Sequence, residues 1–174
     1  LIRCLLLAWL IYRVWYEVLK QPKETAARIY ALAVSIGLLS SLYIHTLGIW
    51  LLLSVWLMSV LSDVVAFFAG NFLGKYHLPK QFNSNKSWDG VVGQIIGALL
   101  GALVLWPVIH TPVVLALAVG LGSAIGDMSN SFVKRKLHIK DWSNGILGHG
   151  GYADRFSSLS FALLLASLYL YTHN

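Results

Sequence analysis

Carboxylates are scarce in this chain, and three of the seven fall within residues 126–158, GDMSNSFVKRKLHIKDWSNGILGHGGYADRFSS. Asp127, Asp141 and Asp154 share that stretch with Lys134, Arg135, Lys136, Lys140 and Arg155, and with the glycines Gly148, Gly150 and Gly151. A hard divalent cation takes oxygen ligands. Phosphate oxygens are met by Lys, Arg and free backbone N–H groups. An Asp inside an apolar run, then a basic stretch, then Asp154-Arg155 at the mouth of the next apolar run therefore suits phosphate and metal chemistry. The tendency of cytoplasmic loops to be basic accounts for the lysines and arginines. It accounts neither for His149-Gly150-Gly151 followed by Ala153-Asp154-Arg155 nor for the position of Asp127.

A second polar stretch covers residues 62–90, SDVVAFFAGNFLGKYHLPKQFNSNKSWDG. Asp63 lies inside an apolar segment, where an ionised side chain costs roughly 2.5–3.5 kcal/mol unless it finds partners. A metal, a base, a substrate hydroxyl or an interhelical hydrogen bond would each serve. Residues 83–90 lead into a helix. Asn or Ser there supplies an N-cap, the free N–H groups attract anions, and Lys86 is placed to pair with a phosphate. A capped helix with a snorkelling lysine is the alternative. Asp127 follows the small-residue run 120–126, which permits close helix packing. With Asp154 it offers two carboxylates to Mg²⁺, an ion that keeps waters and borrows phosphate oxygens. Lys134, Arg135, Lys140 and Arg155 are the candidate phosphate clamps, and Asp141 joins the substrate-binding candidates. His149 is read as a phosphate hydrogen-bond donor or as a prop for the loop. No second His stands at zinc spacing, and no Ser-His-Asp set can be argued from spacing.

The string S-F-V-K-R-x4-K-D-x-S-x5-H-G-G-x-x-D-R over residues 131–155 resembles, nearly position by position, the signature of CDP-diacylglycerol synthases (phosphatidate cytidylyltransferases). Residues 83–90 resemble that family's S-P-N-K-T-W-E-G, and the stretch opening at Asp63 its D-x-x-A-Y-x-x-G-x-x-x-G-K. Leu147 and Tyr152 depart from the pattern, Ser157 replaces the Asp that completes D-R-x-D, and Asn130 stands where the family commonly has Glu. The resemblance implies Asp127 and Asp154 as Mg²⁺ ligands. It also implies Lys134, Arg135 and Arg155 as catalytic cations, and Asp63, Asn85, Lys86, Lys140, Asp141, His149, Gly150 and Gly151 as substrate-binding residues. The activity it implies is condensation of CTP with phosphatidic acid to CDP-diacylglycerol and pyrophosphate. Ser157 and Asn130 motivate one alternative, a weakened relative kept as a binding or scaffold protein; a CTP-dependent enzyme with another lipid acceptor, which would share the phosphate machinery, is a second.

These residues must be positioned by helices in lipid. The chain of 174 residues is 57% hydrophobic and only 11% charged, against about 25% charged in soluble chains. Six apolar segments can be drawn, near 1–19, 29–44, 47–72, 90–109, 113–133 and 156–171, with a turn between the second and third at His45-Thr46. Lys and Arg fall in the connections 20–28, 73–89 and 134–155, and none falls at His45-Thr46, His110-Thr111 or the tail 172–174. Six alternating spans put the three basic connections on one face, the cytoplasmic one. The expected architecture is all-α and integral to the membrane, one polytopic domain of about six transmembrane helices with cytoplasmic catalytic loops, in a bacterial inner membrane. Trp50 and Trp56 are expected to pack internally. The single cysteine, Cys4, forms no internal disulfide. The chain opens on Leu1, which suggests the C-terminal part of a longer protein. The net charge of +6 follows membrane topology rather than a nucleic-acid fold. The partners expected are CTP, phosphatidic acid and membrane lipid, no nucleic acid, and a homodimer left open.

Overall fold

The computed structural model describes residues 2–21, 25–79, 86–143 and 150–173. Within them the chain forms α1 (Ile2–Leu19), α2 (Thr25–Leu47), α3 (Ile49–Leu73), α4 (Trp88–Leu105), α5 (Val113–Lys136), the four-residue α6 (Tyr152–Arg155) and α7 (Ser157–His173). Each of the six apolar segments is thus a helix, because backbone groups facing lipid must be satisfied within the segment. Four of them, α2, α3, α4 and α5, are long and apolar enough to cross a membrane. Arg3, Arg13 and Glu17 interrupt α1, and α7 has 17 residues. The helices by themselves therefore establish four membrane-capable spans of the six expected.

Two boundaries differ from the hydropathy pattern. The expected turn at His45-Thr46 is helical, since α2 continues to Leu47 and only Gly48 separates it from α3. Gly48 (φ 158°, ψ 141°) takes a conformation open to glycine and costly for other residues. At its other end α5 runs past its apolar part to Lys136, so Lys134 and Arg135 belong to a helix rather than to a loop. Lys and Arg are good helix formers and suit the negative end of the helix dipole.

Within the bundle α3 lies along α4 and α5 along α7, while α2 rests on α7 and α4 on α5. Lipid tails are as apolar as Leu, so helices associate through close backbone approach rather than through hydrophobic exclusion. Gly93, Gly97 and Gly101 line the α4 face toward α3, and a Cβ on Gly97 would come within 2.7 Å of Ser62 Cα. Gly122 and Gly126 do the same for α5 against α7, meeting the backbones of Ala162 and Ser157. One buried cluster joins Val55, Met58, Ala98, Leu115, Val119 and Ala166. Another joins Val14, Tyr30, Val34, Val133, Trp142 and Ala153 beneath the polar end. Trp50 and Trp56, expected inside, are 62% and 52% exposed on the outer face with Phe67, Phe68 and Phe72. In a membrane that face is the one lipid wets.

Candidate active site

Lys86 is placed by a short antiparallel connection between α3 and α4. His77 and Ser87 form a bridge, with Leu78 N donating to Lys86 O (2.7 Å) and Trp88 N to Tyr76 O (2.8 Å). Ser87 caps α4, its Oγ accepting from Gly90 N at 3.2 Å, and Asp89 Oδ2 accepts from Lys75 N at 3.0 Å. Held this way, Lys86 Nζ pairs with the Asp127 carboxylate and donates to the Asp127 carbonyl at 3.3 Å.

Asp154 is the most heavily bonded side chain of the site. Its Oδ1 accepts from Lys134 Nζ (2.5 Å) and Asn130 Nδ2 (3.4 Å), and its Oδ2 from Trp142 N (3.0 Å) and Gly151 N (3.0 Å). Those four donors use the lone-pair sites of a carboxylate. Asn130 in turn accepts from Trp142 Nε1 at 2.7 Å. Gly150 makes the approach at φ 88°, a left-handed conformation that glycine takes without strain. Tyr30 supports the same turn from α2, donating to Ala153 O (2.9 Å) and stacking on Trp142 with centroids 5.5 Å apart.

A cavity of about 430 Å³ opens between α3, α4, α5 and α6, at the polar ends of the helices. Among the sequence-derived candidates Asp63, Lys86, Asp127, Asp154 and Arg155 line it. Lys134 joins through Asp154, and Gly150 and Gly151 build the turn that presents Asp154. Arg135, Lys140 and Asp141 are exposed outside the lining. Asn85 and His149 lie outside the described residues. Three lining carboxylates stand against the two lining cations Lys86 and Arg155, a balance that leaves a polyphosphate short of positive charge. A hard cation would supply it, and the donor set, all carboxylate oxygen, is of the right chemistry. Among the described residues no group of three or more His, Cys, Asp or Glu is close enough to form a complete cage. That suits an ion taking one or two carboxylates and completing its shell from substrate phosphate and water. Asp127 fits this role most directly, since Lys86 is its only ion-pair partner among the described residues.

Three features were missed in the sequence. Glu17 is 1% exposed and bonds to the α6 turn, although a carboxylate in an apolar segment was the same signal that singled out Asp63. Gln94 is 3% exposed, lines the cavity, and its Nε2 lacks a hydrogen-bond partner among the described residues; nothing in its neighbourhood in sequence marks it. Ser158 lines the cavity, whereas Ser157, singled out as a replacement for Asp, is buried and donates to the Asp154 carbonyl at 3.2 Å.

Known proteins resemble this chain in sequence. The phosphatidate cytidylyltransferase of Brucella abortus is 37% identical over 115 residues, covering 63% of this chain and 42% of that protein. Its namesake from Haemophilus influenzae is 34% identical over 137 residues, 71% of this chain and 46% of that protein. The one from Helicobacter pylori strain J99 is 35% identical over 128 residues, again 71% and 46%. The chain thus spans less than half the length of these curated relatives. A sequence profile described as the cytidylyltransferase family extends the likeness over residues 1–173, the apolar helices as well as the polar loop, and so the chain belongs to the cytidylyltransferase family.

Proposed function

We propose that this protein condenses CTP with phosphatidic acid to give CDP-diacylglycerol and pyrophosphate. One observation carries the reading: Asp63, Lys86, Asp127, Asp154 and Arg155, from four separate parts of the chain, line a single cavity at the ends of apolar helices. The names of the relatives support the choice of substrates. In the reaction an oxygen of the lipid phosphate bonds to the α-phosphorus of CTP, and the bond from that phosphorus to the β-phosphate bridging oxygen breaks. The attacking phosphate is already ionised, so no general base is needed. Position and charge are what the protein supplies.

Lys86 and Arg155 hold phosphate oxygens in the cavity, and Lys134 is shared between Asp154 and substrate. Lys140 and Arg135, on the exposed rim, draw CTP in from water. Asp63 meets the more deeply seated polar part of a substrate. Asp127 would hold Mg²⁺, and Asp154 would join it with the Oδ1 lone pair freed when Lys134 turns to substrate phosphate. Bound there, the ion would neutralise the triphosphate and the charge that builds on the leaving pyrophosphate.

The protein sits in this reading in the bacterial inner membrane with all six long helices spanning it. The cavity faces the cytoplasm, the side on which the basic connections fall, and a homodimer is compatible with it. Turnover of CTP with defined lipid phosphates and lipid alcohols tests the proposal. Release of pyrophosphate dependent on phosphatidic acid supports it. CTP turnover with only a different acceptor would reassign the substrate, and CTP binding without turnover would favour the scaffold reading.

A further inference from the structure

Glu17 is a carboxylate on α1, at 1% exposure one of the most buried side chains in the protein, and the reaction above does not use it. Among the described residues no Lys or Arg forms a salt bridge with it. Its partners are neutral donors, the Ser143 hydroxyl and two amides of the turn that carries Asp154. Oε1 accepts from Ser143 Oγ (2.7 Å) and Tyr152 N (3.0 Å), and Oε2 from Ala153 N (3.0 Å). The first N–H groups of a helix have no partner inside it. In α6 these groups are shared between two carboxylates, Gly151 N going to Asp154 and the next two to Glu17. The approach is close enough that a Cβ on Gly151 would collide with Glu17 Oε2. A side chain at 151 would therefore displace the Glu17 carboxylate from its place at this turn.

The rest of the same α1 face completes the grip. Trp9, Arg13 and Glu17 stand at i, i+4 and i+8, one above another on a helix. The Trp9 ring meets Tyr152 edge-on at 5.2 Å, and the Arg13 guanidinium lies over the Tyr152 ring at 4.8 Å. Tyr152 is one of the positions where this chain departs from the resembled pattern, and α1 carries the side chains that receive it.

We infer that α1 clamps the Tyr152–Arg155 turn, with Glu17 as a positioning residue that sets where Asp154 and Arg155 stand in the cavity. The catalytic half of this inference rests on the proposed cytidylyl transfer; the clamp itself does not. The test uses the full-length protein in lipid nanodiscs with Glu17→Ala and Glu17→Gln. Amide exchange at Tyr152 and Ala153 reads the clamp, and kcat and KM for CTP read its consequence. Truncation to Ala is expected to speed exchange of both amides by at least about tenfold, the loss of charge-assisted hydrogen bonds. It should lower kcat by about tenfold or more while moving KM for CTP less, since the cations that hold the triphosphate stay. Gln keeps a carbonyl acceptor and should recover part of both effects, which also covers a Glu17→Ala protein that fails to fold. Unchanged exchange in both variants would overturn the clamp. Faster exchange with wild-type kcat would overturn its positioning role. A wild-type protein inert toward CTP would refute the proposed activity instead, and the exchange comparison would still decide the clamp.

Discussion

Asp127 and Asp154 bring the same charge to one cavity on different terms. Asp127 is 37% exposed and paired with Lys86, itself 27% exposed, an ion pair that solvent screens and that adds little to stability. Asp154 is 10% exposed and holds four donors from three stretches of chain. Asp127→Asn is therefore expected to fold normally, with a thermal unfolding midpoint in detergent close to wild type. It should lose about a hundredfold or more of CTP turnover at fixed magnesium, the size of losing one charge-stabilising group. Asp154→Asn should lose turnover and stability together, by about 3–5 kcal/mol, because Lys134 is left buried without its counter-charge. Equal midpoints for the two variants would contradict this division. Asn130 makes a related case. It donates to Asp154 and accepts from Trp142, a double duty that needs an amide. Asn130→Asp would set a like charge beside Asp154 and remove a donor, so a lower unfolding midpoint that recovers at acid pH is expected. Recovery follows because protonating the new carboxyl restores a donor. A midpoint equal to wild type at neutral pH would show that the amide is dispensable.

The helices hold these residues through backbone contacts that tolerate no extra atom. Gly126 on α5 faces Ser157 on α7, one residue from Asp127 on one side and three from Asp154 on the other. A Cβ there would stand 2.9 Å from the Ser157 carbonyl carbon, and backbone yields only if the helices part. Gly126→Ala is expected to cost about 1–3 kcal/mol, as overpacking does, and to lower kcat by separating the two carboxylates. Gly70 on α3 serves as the control. A methyl group at that position would find Ser87 Oγ as its nearest neighbour at 3.6 Å, ordinary contact, so Gly70→Ala should leave midpoint and kcat near wild type. Similar losses in both variants would show that glycine content rather than this interface matters.

At the scale of the molecule, the distribution of charge carries the proposed orientation. Lys134, Arg135, Lys136 and Lys140 gather at the end where the cavity opens, while His110 stands beyond the other end of α4. In sealed vesicles, with the exposed native Cys4 replaced by Ser, single cysteines at Lys140 and His110 should react with an impermeant thiol reagent from opposite sides. Both positions are exposed, whereas the neighbouring Thr111 is 2% exposed and would react poorly for reasons unrelated to topology. Labelling of both from one side would overturn the proposed orientation.

The six helices, the membrane as solvent and the polar stretch with Asp127, Asp154 and Arg155 were legible in the order of residues. Each depends on local quantities: runs of apolar side chains, their charged ends, and motif spacing. Local pattern also placed Lys134 in a loop, because hydropathy ends where charge begins although helical hydrogen bonding does not. Tertiary structure alone decided how the carboxylates are used. Asp154 takes donors from α5, from the segment after it and from its own turn, whereas Asp127 has Lys86 as its ion-pair partner among the described residues. Glu17 meets α6 across 136 positions of chain, and Gln94 lines the same cavity as Asp63. A carboxylate's charge is written at its own position. What surrounds that charge is set by residues far away in sequence, and only the packing of helices brings them within a hydrogen bond.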